Sequence, residues 1–297
     1  MATYPQDGIV AANGMQLHYR DWGGPTQAVA GATPVPLILL HGLASATRIW
    51  DLVAPELARE RRVVAFDQRG HGLSQKPDAG YDFPTIVADD IAAIRALGIG
   101  ERYIIAGHSW GASVTLELAA SQRERVAGVI LVDGGLAMMR QRTDATWETI
   151  SRELAPPDYA GTPRETYLGW MRNSIPNWRP ELEDIALNIV ELRADDTVGP
   201  RLAFAHHMAI LRSLWDEDLD KVYAAIHCPC LFILAEGVQR DGEALAMKRQ
   251  ALADAQRLLV SSPRVEAEWW TNTVHDVPLQ RPEELATRMV AFCRTIN

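Results

Sequence analysis

The stretch AGHSWGASV, residues 106–114, sets Ser109 between Gly107 and Gly111 directly after the apolar run RYIIA. A strand that must reverse into a helix within so few residues strains the backbone at the turn. Glycines on either side remove side chains that would collide there. The serine then stands at a helix N-terminus, where unpaired N–H groups favour negative charge. A capping serine would fit the same turn. The strand before it and the helix after it favour a nucleophile.

A second motif, LILLHGLASATRIW, ends an apolar run at His41-Gly42. It leaves the backbone N–H of Leu43 free to point at the same place, with the N–H of Trp110, next after the serine, as the second donor. Two fixed N–H groups aimed at an oxyanion lower a barrier by about 3 kcal/mol. The third motif, FDQRGHGLS at 66–74, gathers Asp67, Arg69 and His71 among glycines. No Lys-Ser pair follows as in a phosphate loop, and the spacing fits no metal template, so a hydrogen-bonded structural loop is expected.

A serine hydroxyl needs a general base, and the base needs an orienting carboxylate. Of the eight histidines, His41, His71 and His108 belong to the glycine loops, His206 and His207 to a helical stretch, and His18 and His227 to strand edges. His275, in NTVHDVPLQRPEELATRMVAF, follows the last apolar run and precedes the last helical one. It therefore shares the C-terminal edge of a sheet with Ser109. His275 is the expected base.

The elements that must position these residues alternate along the chain. GIVAA and MQLHYRDW flank Asn13-Gly14, a hairpin signal. The continuous apolar runs PLILLHG, RRVVAFD, RYIIAG, VAGVILVD, CPCLFILAE and RVEAEWW read as buried strands. Between them IWDLVAPELARE, TIVADDIAAIRALG, SVTLELAASQRE and PEELATRMVAFCRTI read as helices. That alternation implies right-handed crossovers and a parallel sheet covered on both faces. It breaks once. From about Leu136 to Leu214 the sequence offers only helix-like pieces rich in tryptophan, so an all-helical insertion is expected over 137–214, with 1–136 and 215–297 forming the core.

Composition narrows the partners. With 47% hydrophobic residues, 23% charged residues and a net charge of −9, the chain suits a globular protein that repels nucleic acid and anionic membranes. No segment approaches the length of a membrane span and no leader is evident, so the cytoplasm is the expected compartment. The three cysteines, Cys228, Cys230 and Cys293, make no disulfide framework, and Cys228-Pro-Cys230 opens an apolar strand where packing is the expected role. No metal or organic cofactor is implied. A small-molecule substrate is the expected partner, and a homo-oligomer is left open.

Taken together, LLHGLA, FDQRGHGLS, GHSWGA and VHDVPLQRPEE resemble the α/β-hydrolase superfamily and stand in its usual order, over about Gly8 to Ile296. The resemblance implies a mostly parallel eight-stranded sheet flanked by helices, with a helical cap inserted after the sixth strand. It also implies a Ser-His-Asp hydrolase that works through an acyl-enzyme. The acid departs from the family pattern. Members usually carry Asp a few residues after the strand equivalent to CLFIL, and here that position is Val238. Asp133, ending the preceding strand run in GVILVDGG, is the expected acid, as in a branch of the haloalkane dehalogenases; Asp241 and Glu236 are the alternatives. Dehalogenase and epoxide-hydrolase relatives use aspartate where Ser109 stands, and a serine alkyl ether could not be cleaved by water, so those activities are not expected.

Small or medium esters or lactones with an apolar part are the expected substrates. A C–C bond hydrolase, a perhydrolase, an aminopeptidase and a low-turnover receptor or signalling protein are the alternatives, the last kept open by Val238. The insertion carries Trp147, Trp170, Trp178, Trp215, Tyr159, Tyr167, Met138 and Met139. Most are expected to pack, a few to line an apolar pocket, with Trp170 and Trp178 as the expected selectors of acyl length and His206 or His207 as a further substrate contact.

Overall fold

The computed structural model describes residues 5–25, 34–142, 144–238 and 242–296. The hairpin is built from β1 (Gln6–Ala12) and β2 (Met15–Gly23), turning at Asn13 and Gly14, both with positive φ. The buried runs form β3 (Leu37–Leu40), β4 (Val63–Phe66), β5 (Tyr103–His108) and β6 (Val126–Val132). The inserted segment adds three short strands, β7 (Thr162–Pro163), β8 (Val190–Leu192) and β9 (Thr197–Pro200). Strands β10 (Cys230–Ala235) and β11 (Val265–Trp270) complete the main sheet. Its order is β1-β2-β4-β3-β5-β6-β10-β11, parallel from β4 to β11, with β2 antiparallel to both of its neighbours.

The central strands β3 to β6 and β10 are buried at every position, and apolar at nearly all, because both faces are covered. Their side chains alternate between two cores. Ile38, Leu40, Ile105, Leu131 and Phe232 enter one, and Leu37, Leu39, Ile104, Ile130 and Ile233 enter the other. Around the sheet lie α1 (Ala54–Leu57), α2 (Phe83–Ala96) and α3 (Trp110–Ser121), and beyond the insertion α8 (Leu219–Ala224), α9 (Gly242–Leu258), α10 (Val277–Gln280) and α11 (Pro282–Cys293). Helices α2, α3, α8 and α9 pack on the first face, and α1, α10 and α11 on the second.

The inserted segment holds α4 (Trp147–Glu153), α5 (Arg164–Ser174), α6 (Glu181–Ile189) and α7 (Phe204–Asp216). It is not all-helical: β7, β9 and β8 form an antiparallel sheet in that order. Strands of two to four residues contain no apolar run to read. The signal that does exist is a turn, where Asp196 takes φ 63° and the Asp195 carboxylate accepts the Thr197 N–H at 3.2 Å. Two other expectations change. The stretch IWDLVAPELARE splits into a short 3₁₀ turn at Thr47–Trp50 and the single turn α1, which begins one residue before Pro55. Helix α9, which the reading of apolar runs passes over, buries a face of Ala251, Leu252 and Ala255. Alanines give little hydrophobic periodicity, although they favour helix strongly. Cys228, Cys230 and Cys293 are buried free thiols. Among the described residues, no helix is long and apolar enough to cross a membrane.

Candidate active site

Strand register decides which residues meet. Gly107 pairs with Leu40 and Leu131, and His108 with Val132, which in turn pairs with Ile233. The residues following β3, β5, β6 and β10 therefore emerge at one edge. Chain connections leave β3 and β5 on opposite sides there, the crevice where open α/β sheets bind ligands.

At the end of β5, Ser109 takes φ 55° and ψ −122°. Such a conformation costs a non-glycine residue about 1–3 kcal/mol. The surroundings enforce it. A Cβ on Gly107 would lie 2.0 Å from the Gly111 carbonyl oxygen, and one on Gly111 would lie 2.5 Å from that of His41. Only glycine lets α3 start this close to β3 and β5.

His275 meets the serine from the loop after β11. Its Nε2 lies 2.8 Å from Ser109 Oγ, and its Nδ1 lies 2.7 Å from Asp133 Oδ2. That loop is tied down at several points. The Val274 N–H donates to Gln280 Oε1 at 2.6 Å, and His108 Nε2 donates to the His275 carbonyl at 2.9 Å. His108 is buried, and burial, with His275 beside it, pushes its pKa down to about 4. It is a neutral anchor.

Asp133 follows β6 with φ 46°, and only 4% of its side chain is exposed. Its Oδ1 accepts the Ala235 N–H at 2.8 Å and a hydrogen bond from the Lys248 ammonium. Burial would push this carboxyl up, but the bonds and charges of His275 and Lys248 outweigh it and hold the carboxyl below its ordinary value. For His275, burial pulls the other way, downward. The hydrogen bond and charge of Asp133 prevail, and the imidazole is raised above 6.5.

Of the alternative acids, only Glu236 falls within the described residues. Glu236 is turned to Arg249, 3.1 Å away. Asp241 lies outside the described residues. Val238 is half-exposed.

Leu43 and Trp110 both line the pocket over Ser109. A first helical residue has no intrahelical acceptor for its N–H, which leaves that of Trp110 free of α3. The Leu43 loop is braced by the third sequence motif. His71 Nε2 accepts the Ala44 N–H at 3.2 Å, and His41 Nε2 accepts the Gln68 N–H at 3.0 Å. Burial pushes both imidazoles down, so they stay neutral acceptors. Arg69 is bidentate to Asp89, at 2.7 and 3.0 Å.

The pocket over Ser109 has a volume of about 330 Å³, and the inserted segment supplies Met138, Leu154, His207, Leu211 and Leu214 to its wall. Leu154 and His207 also face an adjoining cavity of about 680 Å³, lined further by Tyr159, Arg201 and Phe204. Trp170 and Trp178 line neither. Trp170 is 50% exposed, and Trp178 packs on the apolar cores. Met138, Leu154, Leu211 and Leu214, rather than these tryptophans, stand on the wall over Ser109. His206 stacks on Tyr81 with ring centroids 4.4 Å apart, leaving His207 as the histidine on the pocket wall.

Residues 35–174 match the family model of the α/β-hydrolase fold. The chain has the α/β-hydrolase fold. This hydrolase is 27% identical to the N-formylmaleamate deformylase of Pseudomonas putida over 94% of its own length and 92% of that protein's. Over 35% of its length and 36% of the relative's, it is 38% identical to the 2-(acetamidomethylene)succinate hydrolase of Mesorhizobium japonicum. The crystal structure of an E-2-(acetamidomethylene)succinate hydrolase superposes with a TM-score of 0.77 at 22% identity, covering 98% of this chain and 100% of that one. That likeness is one of fold.

Lys248 is the site residue that the sequence reading misses. It sits on α9, which carries no strong apolar period, and no motif surrounds it. Helix propensity would have found the helix, but not the contact.

Proposed function

We propose that this hydrolase is a serine acyl hydrolase with Ser109 as nucleophile, His275 as general base and Asp133 as orienting acid. One observation carries the reading: a strained serine, an imidazole and a buried carboxylate are joined in series at 2.8 and 2.7 Å. Ser109 Oγ attacks a carbonyl carbon as His275 Nε2 takes its proton. The N–H groups of Leu43 and Trp110 hold the oxyanion, and Asp133 stabilises the imidazolium. The imidazolium then protonates the leaving group. Water, deprotonated by His275, cleaves the acyl-enzyme, and the serine is restored.

Residues 137–214 act as a cap on the core formed by 1–136 and 215–297. The aliphatic wall from this cap suits a small or medium ester or lactone with an apolar acyl part. With Asp133 bonded to His275, Val238 no longer supports a receptor without turnover.

A second reading rests on Arg201. Its Nε donates to the Asn188 carbonyl at 2.8 Å, and among the described residues no carboxylate pairs with its guanidinium on the larger cavity's wall. Glu153, on the same wall, is engaged by Arg142. A carboxylate-bearing N-acyl compound, of the kind named for the two relatives, would place its anion at Arg201.

Both readings require Ser109 to be acylated. A fluorophosphonate should label wild type once and Ser109→Ala not at all, and labelling of the alanine variant would exclude the mechanism. Turnover across p-nitrophenyl esters, lactones and N-formyl dicarboxylic amides then separates the substrates. Selective loss of the amides in Arg201→Met would favour the second reading.

A further inference from the structure

The acid of the proposed triad carries a cation that the mechanism above does not use. The two oxygens of Asp133 have separate partners. Oδ2 faces His275 Nδ1 at 2.7 Å, while Oδ1 takes the Ala235 N–H at 2.8 Å and the Lys248 ammonium. Lys248 Nζ also donates to the Ala235 carbonyl at 2.7 Å. Its side chain is 14% exposed, and it borders the pocket that holds Ser109. A carboxylate beside a catalytic imidazole stabilises the protonated ring. A cation bonded to the carboxylate's other oxygen withdraws part of that stabilisation.

We infer that Lys248 is a positioning residue of the proton relay: it holds Asp133 so that Oδ2 faces His275, and its charge lowers the basicity of His275. This rests on the triad reading. By this account the chain keeps the acid's orienting function and limits the rise in basicity that comes with it. His275 then stays unprotonated, and Ser109 activated, to lower pH than an unopposed aspartate would permit.

Among the described residues, the groups around His275 are few. Asp133 meets it from β6, Lys248 lies behind Asp133 on α9, and Asp276 is its neighbour in sequence. His108 on β5 approaches it at 4.9 Å between ring centroids, and Ser109 completes the set. Two carboxylates favour the imidazolium, and Lys248 opposes them. Arg249, the next residue on α9, is paired with Glu236. A purely structural Lys248 would close α9 onto the ends of β6 and β10 and have no bearing on the pH at which the serine becomes reactive.

The two roles separate in the pH dependence of fluorophosphonate labelling at Ser109, which needs no knowledge of the substrate. Wild type, Lys248→Met, Lys248→Gln and Lys248→Arg are compared, with near-UV circular dichroism confirming that each is folded; glutamine serves if methionine disrupts packing. Loss of the ammonium should move the midpoint of the acid limb upward by about one pH unit, slowing labelling there about tenfold. Lys248→Arg should leave the midpoint in place. Uniformly slower labelling with an unmoved midpoint in the neutral variants would overturn the inference, as would an equal shift in Lys248→Arg. If wild type is not labelled at any pH, the triad reading itself falls. Labelling of Ser109 with no shift removes only the role of Lys248.

Discussion

Two aspartate–histidine couples stand at the same edge of the sheet, and their geometry is nearly the same. His18 Nδ1 lies 2.8 Å from Asp67 Oδ2, and His275 Nδ1 lies 2.7 Å from Asp133 Oδ2. Both aspartates directly follow buried strands, β4 and β6. The difference lies in the second ring nitrogen and its access to solvent. His18, with 7% of its side chain exposed, turns Nε2 toward Asp7 at 3.2 Å. His275, 54% exposed, turns Nε2 toward Ser109. The remaining acceptor positions differ as well. Asp67 receives the backbone N–H groups of Thr47 and Leu73, tying its own loop together and to the one after β3, whereas Asp133 receives Ala235 and Lys248. A buried couple that binds loops is architecture. The same couple with an open face and a serine can move a proton.

Neutralising each acid in turn gives the sharpest contrast. Asp133→Asn should lower the turnover of the folded enzyme on the order of 10⁴-fold, because the amide leaves His275 in the wrong tautomer. Activity within tenfold of wild type would break the distinction between the couples.

Asp67→Asn should act on the fold instead, costing about 2–4 kcal/mol of stability while the folded fraction turns over normally. Burial pushes the Asp67 carboxyl up, but the hydrogen bond and charge of His18 and the Leu73 N–H together hold it far below the ordinary range. Its stabilisation is therefore complete above the unfolded carboxylate value, about pH 4, and is lost as pH falls through the lower folded value. The asparagine variant should lack that acid dependence in denaturant titrations. A stable but inactive Asp67→Asn would place this couple in the chemistry after all.

The smallest effect concerns what reaches the open couple. Leu211→Ala, on the pocket wall, should shift the preferred acyl length in an ester series by severalfold in relative turnover, about 1–3 kcal/mol per methylene accommodated being the usual limit. Trp170→Ala, remote from both cavities, should leave that preference unchanged. Reversed outcomes would return selectivity to the tryptophan.

Much of this site is legible before folding because it is local. The glycines around Ser109 report a backbone turn that no other residues permit. Hydrophobic runs report which segments are buried on both faces. Asp133 and His275 can be set at the serine's edge from strand ends alone, since parallel strands deliver their C-termini together. The choice among carboxylates is different in kind. Glu236 and Asp133 both close apolar strands, and only packing turns Glu236 to Arg249. Asp67 and Asp133 likewise look alike along the chain until solvent access separates them.

What the chain order determines by itself is therefore the sheet, the strained serine and the edge where chemistry is placed, because each depends on near neighbours and on periodicity. What only the tertiary structure decides is which acid faces which histidine, that α7 presents Leu211 while Trp170 faces outward, and that Lys248 reaches Asp133 from 115 positions away. Those contacts follow from how helices settle on a finished sheet. A helix such as α9 carries too weak an apolar stripe to announce its orientation in advance.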